Sequence, residues 1–324
     1  MGGREIPIGA GARAAYHEGT STSRICPMHR TALRLLALAA ACAPLAAAAQ
    51  AGSTLDKIKS GGSITVAYRE SSIPFSYLDD KAQPTGFGWE ICARIVEEVK
   101  KATGRADLKV ATQAVTSANR IPLLMNGTID IECGSTTNNS ERARQVAFAT
   151  NYFYTGTRFL VKAGTTVKSL ADLKGKTVVS TTGTTNFKII RNLNEEQKLG
   201  IDLLGAKDHA ESALLVQSGR ALAFAMDDIL LYGLKASAAN PAEFDVVGEA
   251  IQVEPYAIML RKDDPAFKQL VDATLTQLMK SGEFETLYKK WFQSPIPPKG
   301  INLNAPMSRE LQDNLKTLSD KPAL

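Results

Sequence analysis

The chain has 324 residues, 44% hydrophobic and 22% charged, with a formal charge of +5. This is an ordinary globular composition, with apolar residues enough for more than one core and a length suited to about two domains at roughly 100–200 residues each. Five arginines and two acids fall in the first 51 residues, leaving 33 basic and 31 acidic residues and a formal +2 for the rest, so no nucleic-acid partner is expected.

The amino-terminal segment reads as an export signal. Met28-His29-Arg30 and Arg34 form a basic start, residues 35–45 form a short alanine- and leucine-rich stretch, and Ala49-Gln50-Ala51 supplies small residues for cleavage near 51/52. Pro44 interrupts the stretch, which falls short of the ~20 residues of a membrane span. Residues 1–27 fit neither signal nor fold, so Met28 is the expected start and 1–51 the expected leader. A buried alanine-rich helix and lipid attachment at Cys42 are the alternatives weighed. No later segment reaches transmembrane length. An oxidising compartment outside the cytoplasm also permits disulfides. Cys92 and Cys133 are the two cysteines beyond the leader, but their spacing matches no framework, and two buried free thiols are expected rather than a bridge. His209 is the single histidine beyond the leader and no CxxC pair occurs, so neither a metal nor any other cofactor is expected.

Strand and helix patterns then alternate. Residues 63–68 read as a strand, 87–103 as an amphipathic helix, 108–115 as a strand, 119–125 as a short helix and 128–133 as a third strand. A second series follows, with strands at 176–181, 202–206 and 221–226 and helices at 184–198, 210–218 and 227–239. Strands near 245–247 and 255–261 precede helices at 265–281 and 282–292, and the proline-rich tail from 295 is expected to be extended. Such alternation predicts an α/β fold of two lobes, each a mainly parallel sheet flanked by helices. The segments 151–157 and 253–258 mark the changeovers and predict a two-strand hinge. Lobe 1 is expected to comprise 52–155 plus 257–324, and lobe 2 to comprise 156–256.

Ligands of open α/β sheets bind beyond the carboxyl ends of strands. Those ends carry Arg69, then Ser117 and Arg120, then Ser135, Thr137 and Arg142; in the second series they carry Thr184 and Thr185, then His209, then Asp227. Three arginines and a histidine face one principal acid. Arginine forks match carboxylates, and a helix opening at Thr184-Thr185 presents free N–H groups to an anion. The inventory suits a small molecule with two anionic groups and one cationic group, which describes an acidic amino acid. Each residue also has a plain structural explanation. A loop arginine is commonly a solvated charge, Thr184, Ser117 and Asp227 could simply cap helices, and His209 could lie on the surface. Convergence at strand ends favours the functional reading.

The segments 69–79 (RESSIPFSYLD), 116–142 (TSANRIPLLMNGTIDIECGSTTNNSER), 206–212 (AKDHAES), 226–228 (MDD), 259–268 (MLRKDDPAFK) and 290–299 (KWFQSPIPPK) resemble the polar amino-acid solute-binding proteins of ABC transporters, within them the periplasmic glutamate/aspartate-binding group. The likeness runs from about residue 52 to near the end. It implies a type II periplasmic-binding-protein fold and a monomer that captures L-glutamate or L-aspartate and delivers it to an inner-membrane permease. It also implies roles by position: Arg142 and the helix start at Thr185 for the α-carboxylate; the Ser135 carbonyl, the Thr137 hydroxyl and Asp227 for the ammonium; Arg69, Ser117, Arg120 and His209 around the rest of the ligand. A dehydratase of prephenate-like acids on the same fold is the enzymatic alternative, and a receptor-type sensing module a second. A nucleophilic hydrolase is not expected, since no Gly-x-Ser-x-Gly elbow occurs.

Overall fold

In the computed structural model, residues 53–323 are described; the expected leader, its cleavage point and Cys42 lie outside them. In chain order the elements are α1 (Thr54–Gly61), β1 (Ser63–Tyr68), β2 (Ser71–Ser72), β3 (Ser76–Leu78), β4 (Pro84–Thr85), α2 (Phe87–Thr103), β5 (Lys109–Ala114), α3 (Arg120–Met125), β6 (Ile131–Glu132) and β7 (Val146–Phe148). There follow β8 (Phe153–Lys162), β9 (Thr177–Thr181), α4 (Thr185–Glu196), β10 (Asp202–Ala206), α5 (His209–Gln217), β11 (Ala223–Asp227), α6 (Asp228–Ser237), β12 (Phe244–Tyr256), β13 (Met259–Arg261), α7 (Pro265–Ser281), α8 (Glu283–Phe292) and α9 (Arg309–Thr317).

Two five-stranded sheets organise these elements, in the orders β5-β1-β6-β13-β7 and β10-β9-β11-β8-β12. In the first, β5, β1 and β6 run parallel, and β13 joins antiparallel to both β6 and β7. The second repeats the plan: β10, β9 and β11 run parallel, and β8 lies antiparallel to β11 and β12. Helices flank both sheets, giving the two-lobed α/β architecture. In each sheet the parallel strands aim their carboxyl ends, and the loops that follow, in a common direction, which gathers those loops at one edge. The aromatic core of the first lobe centres on Phe75, Phe87, Phe153 and Phe292, all buried, with Phe75 and Phe153 at 4.8 Å between ring centroids.

The two lobes are joined through β8 and β12, whose ends pair antiparallel from Phe153–Tyr256 to Gly156–Val253. This is the two-strand connection anticipated from residues 151–157 and 253–258. Paired strands resist twisting apart but can bend together, a geometry suited to opening and closing.

Several elements depart from expectation. The third strand is only Ile131–Glu132, and 245–247 forms part of the continuous β12. Beyond residue 295 the chain is not all extended: Ser308 accepts the Leu311 N–H and opens α9. The chain after α9 returns to the first lobe, where the Asn138 amide donates to the Asp320 carbonyl. The expectation of free thiols is overturned. Cys92 on α2 and Cys133 after β6 are joined by a disulfide, with 5.9 Å between their α carbons. Their 41-residue separation carries no motif, and it is the packing of α2 over the end of β6 that brings the side chains within bridging range. None of the described helices is long and apolar enough to cross a membrane.

Candidate ligand-binding site

All ten residues singled out from the sequence lie where the two lobes meet. Ser117, Arg120, Ser135, Thr137, Arg142, Thr184, Thr185, His209 and Asp227 line one narrow cavity, together with Asn186 and Met226. Arg69 adjoins it, donating to the Ser117 hydroxyl at 2.8 Å and to His209 Nε2 at 3.3 Å. The first five lining residues named, and Arg69, come from the first lobe, and the remaining ones from the second.

The guanidinium groups are the dominant feature. Arg69 and Arg120 are 2% exposed and Arg142 is 7% exposed. Buried arginines are ordinarily paired with carboxylates. Among the described residues, none of the three takes part in an ion pair. Arg120 donates to the Ser135 carbonyl at a long 3.4 Å. Arg142 donates to the carbonyls of Thr137 and Gly183, both at 3.0 Å, and so spans the two lobes. Arg69 Nη1 and Arg120 Nε are buried without a partner, as is the Ser135 hydroxyl. Burial, then the proximity of Arg120, lowers Arg69 to about 9 and Arg142 to about 10, so both remain cations at neutral pH. Burial also lowers Arg120.

His209 opens α5 and is 1% exposed, which removes its reading as a surface residue. An arginine can only donate, so Nε2 facing Arg69 must accept and the ring proton must sit on Nδ1. That proton is received by Thr181 Oγ1 at 2.9 Å, which donates to Ser212 Oγ at 2.9 Å, which donates to the Asp208 carbonyl at 2.9 Å. The relay fixes the tautomer, and burial beside Arg69 and Arg120 holds the ring neutral by lowering its pKa well below the usual histidine range.

Asp227 ends β11 and is 1% exposed. It makes no capping bond to α6. Instead its carboxylate accepts from the Asn186 amide at 2.8 Å and from the Tyr256 hydroxyl. Burial and the nearby Glu254 push it up to about 7. Thr184 does serve as the N-cap of α4: its hydroxyl accepts the Phe187 N–H at 3.1 Å and donates to the Thr181 carbonyl at 2.6 Å. Its side chain is therefore fully engaged, and what the start of α4 offers the cavity is the N–H groups of its first turn, which have no intrahelical acceptor.

Besides Met226, four residues of the site were not anticipated. Asn186 holds Asp227 and also donates to the Thr157 hydroxyl at 2.7 Å. Tyr256 and Glu254 project from β12, the hinge strand, and Thr181 orients His209. An isolated Asn or a Glu within a strand carries no sequence signal of its own. Glu254 lies next to a proline and an aromatic in a segment read only for its extended character. No group of three or more histidine, cysteine or acidic side chains suited to a metal occurs among the described residues.

Lobe contact depends on close backbone approach. A β carbon on Gly183, whose φ is +78°, would lie 2.5 Å from the Ala118 α carbon across the cleft. One on Gly233 of α6 would lie 2.4 Å from the Ile73 carbonyl oxygen. Both glycines allow the lobes to meet.

Comparison with known proteins agrees with this architecture. Residues 64–294 match the family of bacterial extracellular solute-binding proteins, family 3. The chain is 49% identical over 292 residues to a glutamate/aspartate import solute-binding protein of Escherichia coli (strain K12), covering 90% of this chain and 97% of that one. It is 49% identical over 271 residues to an L-glutamate/L-aspartate-binding protein of Pseudomonas aeruginosa, covering 83% and 90% respectively. The crystal structure of a cysteine-binding protein from Campylobacter jejuni superposes with a TM-score of 0.66 at 25% identity, covering 74% of this chain and 93% of that one. With a matching family model over most of its length and relatives near half identity, the chain belongs to family 3 of the bacterial extracellular solute-binding proteins.

Proposed function

We propose that the protein captures L-glutamate or L-aspartate between its lobes outside the cytoplasm and delivers it to an ABC importer. The observation that carries this reading is the meeting, at one interlobe cavity, of three buried guanidiniums without an ion-pair partner among the described residues, two lining it and Arg69 adjoining it, with the buried carboxylate of Asp227. Two anionic groups and one ammonium complement that arrangement. The import proteins named above support the same ligand class, and they lend no support to a dehydratase.

Roles follow from position. Arg142 and the opening turn of α4 take the α-carboxylate. Asp227, the Thr137 hydroxyl and the Ser135 carbonyl take the ammonium. Arg69, Arg120, Ser117 and neutral His209 take the side-chain carboxylate. Ligand binding draws the lobes together because only the closed state supplies partners from both sides, and closure removes the water that would otherwise weaken each charged contact. Lobe 1 comprises 52–155 and 257–324 and lobe 2 comprises 156–256 in this reading. The protein acts as a monomer in the periplasm after removal of the segment 1–51, and its partner is an inner-membrane permease.

A thermal-shift screen of the twenty amino acids on ligand-stripped protein tests the proposal. At a ligand concentration near 100 times Kd, binding adds about 2.7 kcal/mol of stability. L-glutamate and L-aspartate are expected to give the largest upward shifts in Tm. A largest shift with arginine, or with an apolar amino acid, would exclude the assignment.

A further inference from the structure

Behind two lining residues of the cavity lies a carboxylate that is not itself part of the lining. Glu254 is 1% exposed and projects from β12. Its Oε2 lies 2.5 Å from the Thr185 hydroxyl, in the second lobe, and 3.2 Å from the Thr137 hydroxyl, in the first. Its Oε1 lies 3.5 Å from the Gln252 amide nitrogen. The register of the hinge explains this reach. Thr137 bridges to Tyr256 and the Asn138 N–H bonds the Pro255 carbonyl, so the loop after β6 runs along the end of β12.

An ionised carboxylate can only accept, and a threonine hydroxyl has one hydrogen and two lone pairs. With Glu254 ionised, Thr137 and Thr185 both give their hydrogens to it. What remains for the cavity is lone pairs on both oxygens, 3.4 Å apart. Two acceptors side by side attract an N–H-rich cation and repel a carboxylate. We propose that Glu254 is a positioning residue that fixes the polarity of the Thr137 and Thr185 hydroxyls and so makes this end of the cavity selective for an ammonium group. The inference rests on the amino-acid reading above and adds to it the residue that distinguishes an amino acid from a plain dicarboxylate. A glutamine at this position could donate from its amide, which would free either hydroxyl to turn its hydrogen toward the ligand and erase the distinction.

The test compares L-glutamate with glutarate, the dicarboxylate of the same length without the ammonium, by titration calorimetry on ligand-stripped wild-type protein and Glu254→Gln. The variant is expected to lose tenfold or more in affinity for L-glutamate while changing less than about threefold for glutarate, so the ratio of the two collapses. A ratio equal to that of wild type, whether or not both affinities fall, would overturn the inference. Should Glu254→Gln fail to melt cooperatively, Thr137→Val deletes one oriented oxygen with Glu254 still in place, and the same ratio is read there against Thr137→Ser, which is expected to restore it. A wild-type protein that binds glutarate as well as L-glutamate contradicts this inference alone; one that binds neither contradicts the amino-acid reading as well.

Discussion

Arg142 reaches from the first lobe to the Gly183 carbonyl of the second, which makes it the cation most exposed to the consequences of closure. Truncating it would leave a desolvated ligand carboxylate without its fork. Arg142→Ala is therefore expected to cost ~3–5 kcal/mol of binding, on the order of a hundred- to several-thousand-fold in Kd for L-glutamate. Calorimetry giving a near-native Kd would remove Arg142 from the site. Asp227 makes a separate prediction about pH. In the ligand-free site its carboxyl is pushed up to about 7, by burial first and by Glu254 second, with the bonds from Tyr256 and Asn186 opposing and Asp228 adding to the rise. Arg120 and Arg142 also face the cavity. An ammonium ligand needs the ionised form, so below about pH 7 binding must expel a proton, and affinity should rise with pH up to that point and then level off. Stability without ligand runs the opposite way: an acid held above its ordinary value favours folding at low pH, and that contribution is lost as pH rises through about 7. Calorimetry at pH 6 in two buffers of different ionisation enthalpy should report net proton release, which Asp227→Asn should abolish. Affinity independent of pH between about 5 and 7.5 would contradict the assignment of Asp227 to the ammonium.

At the level of elements, the closed arrangement hangs on α6 meeting the β2–β3 turn. A methyl group on Gly233 would collide with the Ile73 carbonyl. Alanine is otherwise the better helix residue by roughly 0.5–1 kcal/mol. Gly233→Ala should thus leave the ligand-free Tm equal or slightly higher while weakening L-glutamate at least tenfold; a lowered Tm with unchanged affinity would show that the contact serves folding rather than closure. The elements that carry the site were legible because each obeys one rule, a β-rich run followed by a polar loop and a helix start. Arg69, Arg120, His209 and Asp227 all follow strands in that way. What was not legible lacks local pattern. Strands of two or three residues such as β2, β4 and β6 are too short for any period to show. The helix α9 has only Leu311 and Asn314 buried, so its Ser308 cap was the one signal against the prolines before it. The Cys92–Cys133 bridge and the Glu254 contacts both arise from tertiary placement across 41 and 117 positions of sequence, and spacing alone cannot express either.

For the whole molecule, the two sheets supply matching edges, the paired ends of β8 and β12 supply the axis, and in the proposed function the three buried guanidiniums at the cleft supply the reason to close on a particular ligand. L-glutamine tests that last element most directly, since it matches L-glutamate in shape and lacks only the second negative charge. The measurement is the ratio of the two dissociation constants by titration calorimetry on ligand-stripped protein, for wild type and for Arg69→Ala. Leaving a buried charge unpaired costs about 2–5 kcal/mol, so wild type should prefer L-glutamate by roughly thirtyfold or more, and Arg69→Ala should narrow that gap sharply. A wild-type protein that holds L-glutamine as tightly as L-glutamate would contradict the account.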